Sequence, residues 1–226
     1  FSATALLNYS KKAVSAFMAD EKAAKALELQ LKNTGFAFAA PSVEYYIANL
    51  QKTTGVLDDQ LRPAFQQLLT VTGSVTQSQD ALSTALNISA ATGKSLTEVS
   101  AALTRGFSGN TTGLSRLGAG ISKATLKTGD MDKILGELNK KFAGQAAARL
   151  DTYAGKMGLL TVAAENAKEE IGKGLLDAIS LLGRDNGIEV ASNAMEVLAK
   201  NISDAVYGAA LLIKKIDELA LSLIHI

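Results

Sequence analysis

The chain has 226 residues, of which 47% are hydrophobic, enough for one large or two small domains with a sizeable core. Its 23 basic and 22 acidic residues leave a net charge of +1, so the chain as a whole does not attract nucleic acid or anionic lipid. The absence of cysteine excludes disulfides and thiolate metal sites. The apolar residues are mostly Ala and Leu, and aromatics make up only 5%, a composition that predicts an all-α fold.

Residues 1–41 are predicted to form an N-terminal helical segment. Apolar residues are interspersed with Lys and Glu along it, and Leu27 and Leu31 stand one helical turn apart. Asn33, Thr34 and Gly35 form a stop signal, and Pro41 marks a bend or a new start. We therefore place a boundary between residues 33 and 42.

Residues 42–142 are predicted to form a compact domain of short helices. Asp58 or Asp59 can cap one of them, with Pro63 in its first turn, where a missing N–H does no harm. Helices shorter than about 12 to 15 residues depend on tertiary packing, so their apolar faces should converge on one core. Each helical pattern is followed by a glycine, which suits the left-handed position that closes a helix: Gly55, Gly73, Gly93, Gly109, Gly118 and Gly129.

The stretch 82–118 contains a tight corner between two of these helices. Gly93 ends the first helix, and the sequence from Ser95 to Glu98 begins the second with the pattern of a capping box. In such a box Ser95 accepts from the backbone N–H of residue 98, and Glu98 accepts from the N–H of residue 95. The corner therefore satisfies its own hydrogen-bond donors, and it predicts packing rather than chemistry.

Glycine and polar residues continue beyond this corner. Gly109 and Asn110 indicate a tight turn, and Leu114 to Gly118 indicates a single helical turn that carries Arg116. Arg116 is predicted to pair with a carboxylate. With Gly93, Ser95 and Glu98, these residues complete a set of structural motif positions: Gly93, Ser95, Glu98, Gly109, Asn110, Arg116 and Gly118.

Three partial matches to ligand-binding motifs lack essential positions. The run Gly93-Lys94-Ser95 ends like a phosphate-binding loop, but position 88, where that loop needs glycine, is Ile. The pair Gly118 and Gly120 lacks the third glycine of a dinucleotide site. Asp130 and Asp132 resemble the start of a calcium loop without its turn glycine or closing glutamate, so Asp130 is predicted to cap a helix instead.

Catalytic pairs are also missing from the sequence. The single histidine, His225, lies in a tail at 221–226 that departs from the preceding pattern and that we expect to be non-native sequence. With no cysteine and only this terminal histidine, Cys–His and Ser–His pairs are excluded. Glu165, Glu169 and Glu170 form an acidic helical turn that we expect to face solvent beside lysines. We predict no catalytic residue, no cofactor and no metal site, and therefore no enzymatic activity.

Residues 143–220 are predicted to form a long helical segment. Apolar residues three or four positions apart from Ala143 to Leu182 indicate one helix of about 40 residues, or about 60 Å. After a break at 183–187, a second amphipathic pattern runs from Ile188 to Leu223, which suggests a hairpin or an oligomeric bundle. The most apolar run near the end is only about eight residues long, so no membrane span is predicted.

Ordered pieces of this sequence resemble tail tape measure proteins of tailed bacteriophages and prophages. The resemblance covers roughly residues 40–182, and its specificity lies in the order, since each piece alone is common. The pieces are Leu61–Ala64 with Leu68, Leu69, Thr72 and Gly73, then Leu86–Leu96, Val99–Leu103, Gly109-Asn110, Leu114–Gly118, Phe142–Ala146 and Thr152–Gly155.

The resemblance implies a structural virion protein, of which this chain is an internal fragment. Such proteins are largely helical, occupy the tail lumen, template polymerisation of the tail tube and set tail length. It implies tail tube and tail tip proteins, tail assembly chaperones and further copies of the chain as partners, without specific nucleic acid. The expected location is the virion tail lumen, with the host cytoplasm during assembly.

Other classes of helical protein remain as alternatives. One is a helical effector of phage or bacterial origin, either pore-forming or muralytic; charges recur too often here for an apolar pore hairpin, and no catalytic glutamate can be placed in a polar cleft sequence. Another is a chaperone-like helical binding module, which fits the composition but does not account for the ordered pieces.

Overall fold

A computed structural model describes the backbone of residues 3–182 and the side chains of residues 8–177. The described part is all-α, as the composition predicts. Its helices are α1 (Ala3–Asn33), α2 (Ala40–Thr54), α3 (Asp58–Thr72), α4 (Val75–Thr92), α5 (Leu96–Phe107), α6 (Thr112–Ser115), α7 (Lys123–Thr128), α8 (Met131–Phe142), α9 (Gln145–Ala148) and α10 (Tyr153–Leu182). Short 3-10 turns precede α2 (Ala37–Ala39) and α10 (Arg149–Asp151).

Contacts divide the chain into two compact units. One unit spans residues 16–169, and the other comprises residues 1–15 and 170–226, of which 3–15 and 170–182 are described. In the second unit Ala13 and Leu175 are buried. The predicted second long helix, from residue 188 to 223, and the tail at 221–226 lie outside the described residues. No helix in residues 3–182 is long and apolar enough to cross a membrane.

The unit of residues 16–169 has one hydrophobic core to which α1 to α9 all contribute, except α7, whose Leu126 packs against the core while half-buried. α3 is strongly amphipathic and contacts α2, α4 and α5. The largest side chains in the core are fully buried and mostly Leu and Ile around one aromatic ring: Leu27, Leu31, Ile47, Leu61, Phe65, Leu68, Leu69, Leu82, Ile88, Leu103, Leu114 and Leu117. Burial of this kind stabilises by about 1.5 to 3 kcal/mol for each large side chain.

Polar side chains tie helices together across this core. The Tyr46 hydroxyl of α2 donates to the backbone oxygen of Gln79 in α4 at 2.8 Å, and its burial raises the pKa of the phenol. Thr84 of α4 hydrogen-bonds the side-chain oxygen of Asn139 in α8 at 2.7 Å. Asn87 accepts from the backbone N–H of Ala146 in α9 at 3.0 Å. Each bond fixes the register of one helix against another.

Glycine contacts seat the first half of α10 on the turn between α2 and α3. A Cβ added at Gly158 would lie 3.0 Å from the carbonyl oxygen of Gly55, and one added at Gly55 would lie 3.3 Å from the Gly155 oxygen. The neighbouring atoms are backbone, so they cannot rotate away. Only glycine allows α10 to approach the turn this closely.

The opposite face of α10 is apolar and exposed. Tyr153 is 81% exposed, Met157 43% and Leu160 60%, and Ala164 and Ala167 continue the stripe at spacings of four and three. These five positions, 153, 157, 160, 164 and 167, are called the α10 outer stripe below. Because the inner face buries Val162, the helix is apolar on both sides, which is typical of a helix with partners on both.

Two sequence predictions about helix boundaries are wrong. The helix predicted from Ala143 is interrupted: Gly144 has a φ of 83°, the short α9 and a 3-10 turn follow, and α10 begins at Tyr153. Pro63 lies in the second turn of α3 rather than the first, and neither Asp58 nor Asp59 is the N-cap residue, which is Leu57. Pro63 is exposed there, so its ring avoids the core and one intrahelical hydrogen bond is given up.

Candidate functional site

The corner between α4 and α5 has its predicted glycine and serine caps. Gly93 has a φ of 73°, and its N–H donates to the Ser89 oxygen at 3.0 Å. The Ser95 hydroxyl accepts from the backbone N–H of Glu98 at 3.2 Å, as the capping box predicts. The other half of the box is not formed, because the Glu98 carboxylate accepts from the Lys94 ammonium at 2.7 Å. Glu98 is thus turned away from the N–H that it was expected to bind.

Three of the predicted motif residues meet in one cavity of about 550 Å³ beside this corner. They are Glu98, Asn110 and Arg116, which are up to 18 positions apart in the sequence. We call this cavity the motif pocket. Its lining is Glu98, Ala102, Arg105, Asn110, Thr112, Gly113, Arg116 and Leu117. No local signal in the sequence marks Arg105, Thr112 or Gly113 as members of a site.

Local hydrogen bonds build the wall of the motif pocket. The N–H of Asn110 donates to the backbone oxygen of Arg105 at 2.8 Å, which folds the chain back over the end of α5. The Asn110 side-chain oxygen then accepts from the N–H of Thr112 at 3.1 Å and starts α6. Arg116, which directly follows α6, is placed by this turn on the same side as Arg105.

The guanidinium of Arg105 lies beside Gly113, within ordinary van der Waals reach of a Cβ at that position. A Cβ at position 113 would lie 3.6 Å from both Nε and Nη2 of Arg105. Gly109 and Gly118 do not line the pocket; they lie in the turns on either side of α6, with φ angles of 91° and 71°. Of the seven motif residues, three therefore line the cavity and four shape the chain around it.

The two arginines of the motif pocket are exposed. Within the described residues neither guanidinium has a carboxylate partner or a side-chain hydrogen bond. The prediction that Arg116 pairs with a carboxylate is wrong, because Glu98 is the carboxylate of the pocket and is bound by Lys94. The pocket consequently presents unpaired positive charge.

A second cluster of charged residues surrounds the buried guanidinium of Arg62. Arg62 Nη1 contacts Asp58 Oδ2 at 2.7 Å and also Asp20, and Nη2 contacts Glu44 Oε2 at 3.1 Å. The carboxylate oxygens of Asp20, Asp58 and Glu169 lie within 4.8 Å of one another. We call these five residues the Arg62 cluster. It joins α1, α2, α3 and α10, so it was not visible in any single stretch of sequence.

Negative charge exceeds positive charge in the Arg62 cluster. Three carboxylates share one guanidinium and a fourth, that of Glu169, lies close to two of them, so like charges repel within the cluster. Burial raises the pKa of Asp20, although Arg62 opposes this. Burial also raises the pKa of Glu169 to about 7, with Asp20, Asp58 and Asp59 adding to the effect and Arg62 opposing it. The expectation that Glu169 lies on a solvent-facing acidic turn is therefore wrong.

The Arg62 cluster has the residue types of a divalent cation site but already contains a cation. The guanidinium holds Asp20 and Asp58, two of the three carboxylates that lie close together. Its fork of N–H donors supplies the charge that a metal would otherwise supply. The guanidinium acts as a structural crosslink between α1, α2 and α3.

A third group of polar residues joins the start of α7 to α8 and caps α8. Glu137 accepts from the backbone N–H of Ser122 at 3.0 Å and from the Lys141 ammonium at 2.9 Å. Hydrogen bonding from Thr125, from Lys141 and from Ser122 lowers the pKa of Glu137 to about 2. Asp130 caps α8, as predicted, by accepting from the N–H groups of Asp132 and Lys133.

Comparisons with known proteins return no relative. No protein-family model matches the chain, and neither a curated protein nor a solved structure matches it.

Proposed function

We propose that this chain is a structural segment of a phage tail tape measure protein. In this role it lies in the tail lumen, templates polymerisation of the tail tube and contributes to tail length. The order of the sequence pieces between residues 61 and 155 supports the proposal, as does the all-α architecture. Tail tube and tail tip proteins and tail assembly chaperones are its proposed partners.

The observation that carries the proposal is the geometry of α10. It is a continuous helix of 30 residues, about 45 Å long at 1.5 Å per residue. Its outer stripe is apolar and exposed, so a further helix can pack along it. A protein that fills a tube beside other copies of itself needs such a face, and we therefore propose a homo-oligomer.

The compact unit of residues 16–169 and the part of α10 after Glu169 contribute differently to tail length under this proposal. Helices folded around one core do not add 1.5 Å per residue to the axis of a tail. A continuous helix does. Tail length should therefore respond in proportion to changes within α10 after Glu169, and not to changes among the short helices.

The test is to change the length of α10 in the parent gene. An in-frame deletion of residues 170–182 removes 13 positions and should shorten tails by about 20 Å. Duplication of the same residues should lengthen them by the same amount. Tail lengths are measured by electron microscopy with averaging over many particles. Tails of unchanged length in both the deletion and the duplication variant would refute the ruler role for this segment.

A further inference from the structure

The motif pocket contains four groups that can donate hydrogen bonds. Within residues 8–177 none of them donates a hydrogen bond to another group. They are the guanidiniums of Arg105 and Arg116, the amino group of Asn110 and the hydroxyl of Thr112. The Asn110 oxygen is occupied by the N–H of Thr112, which leaves its amino group as the free end of the amide. Donors therefore dominate the pocket.

Glu98 is the only negatively charged side chain that lines the pocket within the described residues, and it already has a partner. The Glu98 carboxylate binds the Lys94 ammonium at 2.7 Å, an ion pair between neighbouring helical turns. Because Lys94 neutralises Glu98, the guanidiniums of Arg105 and Arg116 remain as unpaired positive charges in the pocket. A pocket with this balance favours an anion, and exposed guanidiniums lose less hydration on binding one than ammonium groups do.

The number of donors in the motif pocket indicates which class of anion it binds. A carboxylate has two oxygens, which one arginine can bind fully through its fork. Two guanidiniums, an amide and a hydroxyl around one cavity offer more donors than a carboxylate can use, whereas a phosphate monoester has three terminal oxygens and about two negative charges. The cavity of about 550 Å³ is also larger than a phosphate group alone.

We infer that the motif pocket binds the phosphate group of a small phosphate monoester, held between Arg105 and Arg116 with Asn110 and Thr112 completing the donor set. The remaining volume accommodates the organic part of the ligand. The chain's net charge of +1 favours a small molecule over a nucleic acid backbone. This site is independent of tail length and stands whether or not the chain acts as a ruler.

Binding is tested on the 226-residue chain by NMR at constant ionic strength. Inorganic phosphate and AMP are titrated in turn, and a thymidine oligonucleotide supplies phosphodiesters as a third arm. We expect saturable shifts of the backbone amides of residues 105, 110, 112 and 116 with both inorganic phosphate and AMP. AMP should bind more tightly than inorganic phosphate, because it also fills the rest of the cavity.

Substitutions locate the site. Arg105→Gln and Arg116→Gln should each weaken phosphate binding by about tenfold or more. Arg149→Gln is the matched control, since Arg149 is also exposed and lies outside the pocket. Far-UV circular dichroism verifies that all variants fold.

Three outcomes would overturn the inference. The first is an absence of saturable shifts with both phosphate and AMP. The second is equal loss of binding in Arg149→Gln, which would indicate non-specific charge attraction. The third is tighter binding of the oligonucleotide than of AMP, which would replace the small-molecule site by a nucleic acid surface.

Discussion

Gly158 of α10 lies directly against Gly55 of the turn between α2 and α3. The carbonyl oxygen of Gly55 is 3.0 Å from the position that a Cβ on residue 158 would occupy. Gly55 itself has a φ of 67°, so neither residue can be replaced without disturbing the other. Two glycines far apart in sequence therefore set how closely the first half of α10 approaches the turn between α2 and α3.

Gly158→Ala is expected to destabilise the protein. The new methyl group meets backbone, and the overpacking should cost about 1 to 3 kcal/mol in the free energy of unfolding, outweighing the gain of up to about 1 kcal/mol in helix propensity. Gly136→Ala is the matched control, because Gly136 is also helical and nothing lies within 4 Å of its added Cβ. Urea unfolding of both variants should give shifts of opposite sign.

Arg62→Met is expected to be strongly destabilising. It leaves Asp20, Glu44 and Asp58 without their shared guanidinium, and an uncompensated buried charge of this kind costs about 3 to 5 kcal/mol. Adding Asp20→Asn and Asp58→Asn should recover part of the loss, because the repulsion disappears with the charges. Arg149→Met, at an exposed position without an ion pair in the described residues, should change stability by no more than about 0.5 kcal/mol.

Glu169 should make the protein less stable as pH rises from about 4.5 to 7. Its folded-state pKa of about 7 exceeds the ordinary value of 4.5, so in this window the folded state holds a proton that the unfolded state has released. The contribution is complete below pH 4.5 and is lost as pH rises through 7. The raised pKa of Asp20 acts in the same direction.

Glu169→Gln tests this origin of the pH dependence. The variant should resemble the original chain at pH 5 and exceed it in stability at pH 8, as measured by thermal unfolding. Glu170→Gln changes the neighbouring, exposed residue and should leave the pH dependence of stability unchanged. Glu137 does not interfere, because its lowered pKa of about 2 affects stability only below pH 4.5. If stability still fell with rising pH to the same extent in Glu169→Gln, another group would be the origin of the pH dependence.

The α10 outer stripe should mediate self-association. Leu160→Lys places a charge at the centre of the stripe, where Leu160 is 60% exposed, and should lower the average mass that light scattering measures at high protein concentration. Gln67→Lys adds the same charge to an exposed position of α3 and should leave the mass unchanged. Equal masses for Leu160→Lys and the original chain would mean that the stripe has another occupant.

Local signals in the sequence predicted most of the helix ends. Contacts between residues far apart in the sequence have no local signal and were not predicted. Gly93 and Ser95 could be assigned because a left-handed stop and an N-cap need only a few neighbouring residues. The Arg62 cluster could not, because Asp20 and Glu169 are brought together only by the packing of α1 and α10. The capping-box prediction failed in part for Glu98, because its ion pair with Lys94 replaced the second hydrogen bond of the box.

Local signals also explain why only part of the motif pocket lining could be predicted from the sequence. Asn110 and Arg116 stood out because they flank glycines in a turn. Arg105 did not, because a basic residue in the last turn of an amphipathic helix is ordinary. Its importance follows from the turn at Asn110, which brings α6 back over the end of α5.

The corner at Gly93 has a consequence for how the chain folds. All of its hydrogen bonds join residues within five positions of one another, from Ser89 to Glu98, so closing it costs little chain entropy. α4 and α5, which it connects, bury their faces against each other and against α3, which precedes them directly in sequence. Folding is therefore expected to nucleate at this corner, and Ser95→Ala should slow refolding more than it speeds unfolding.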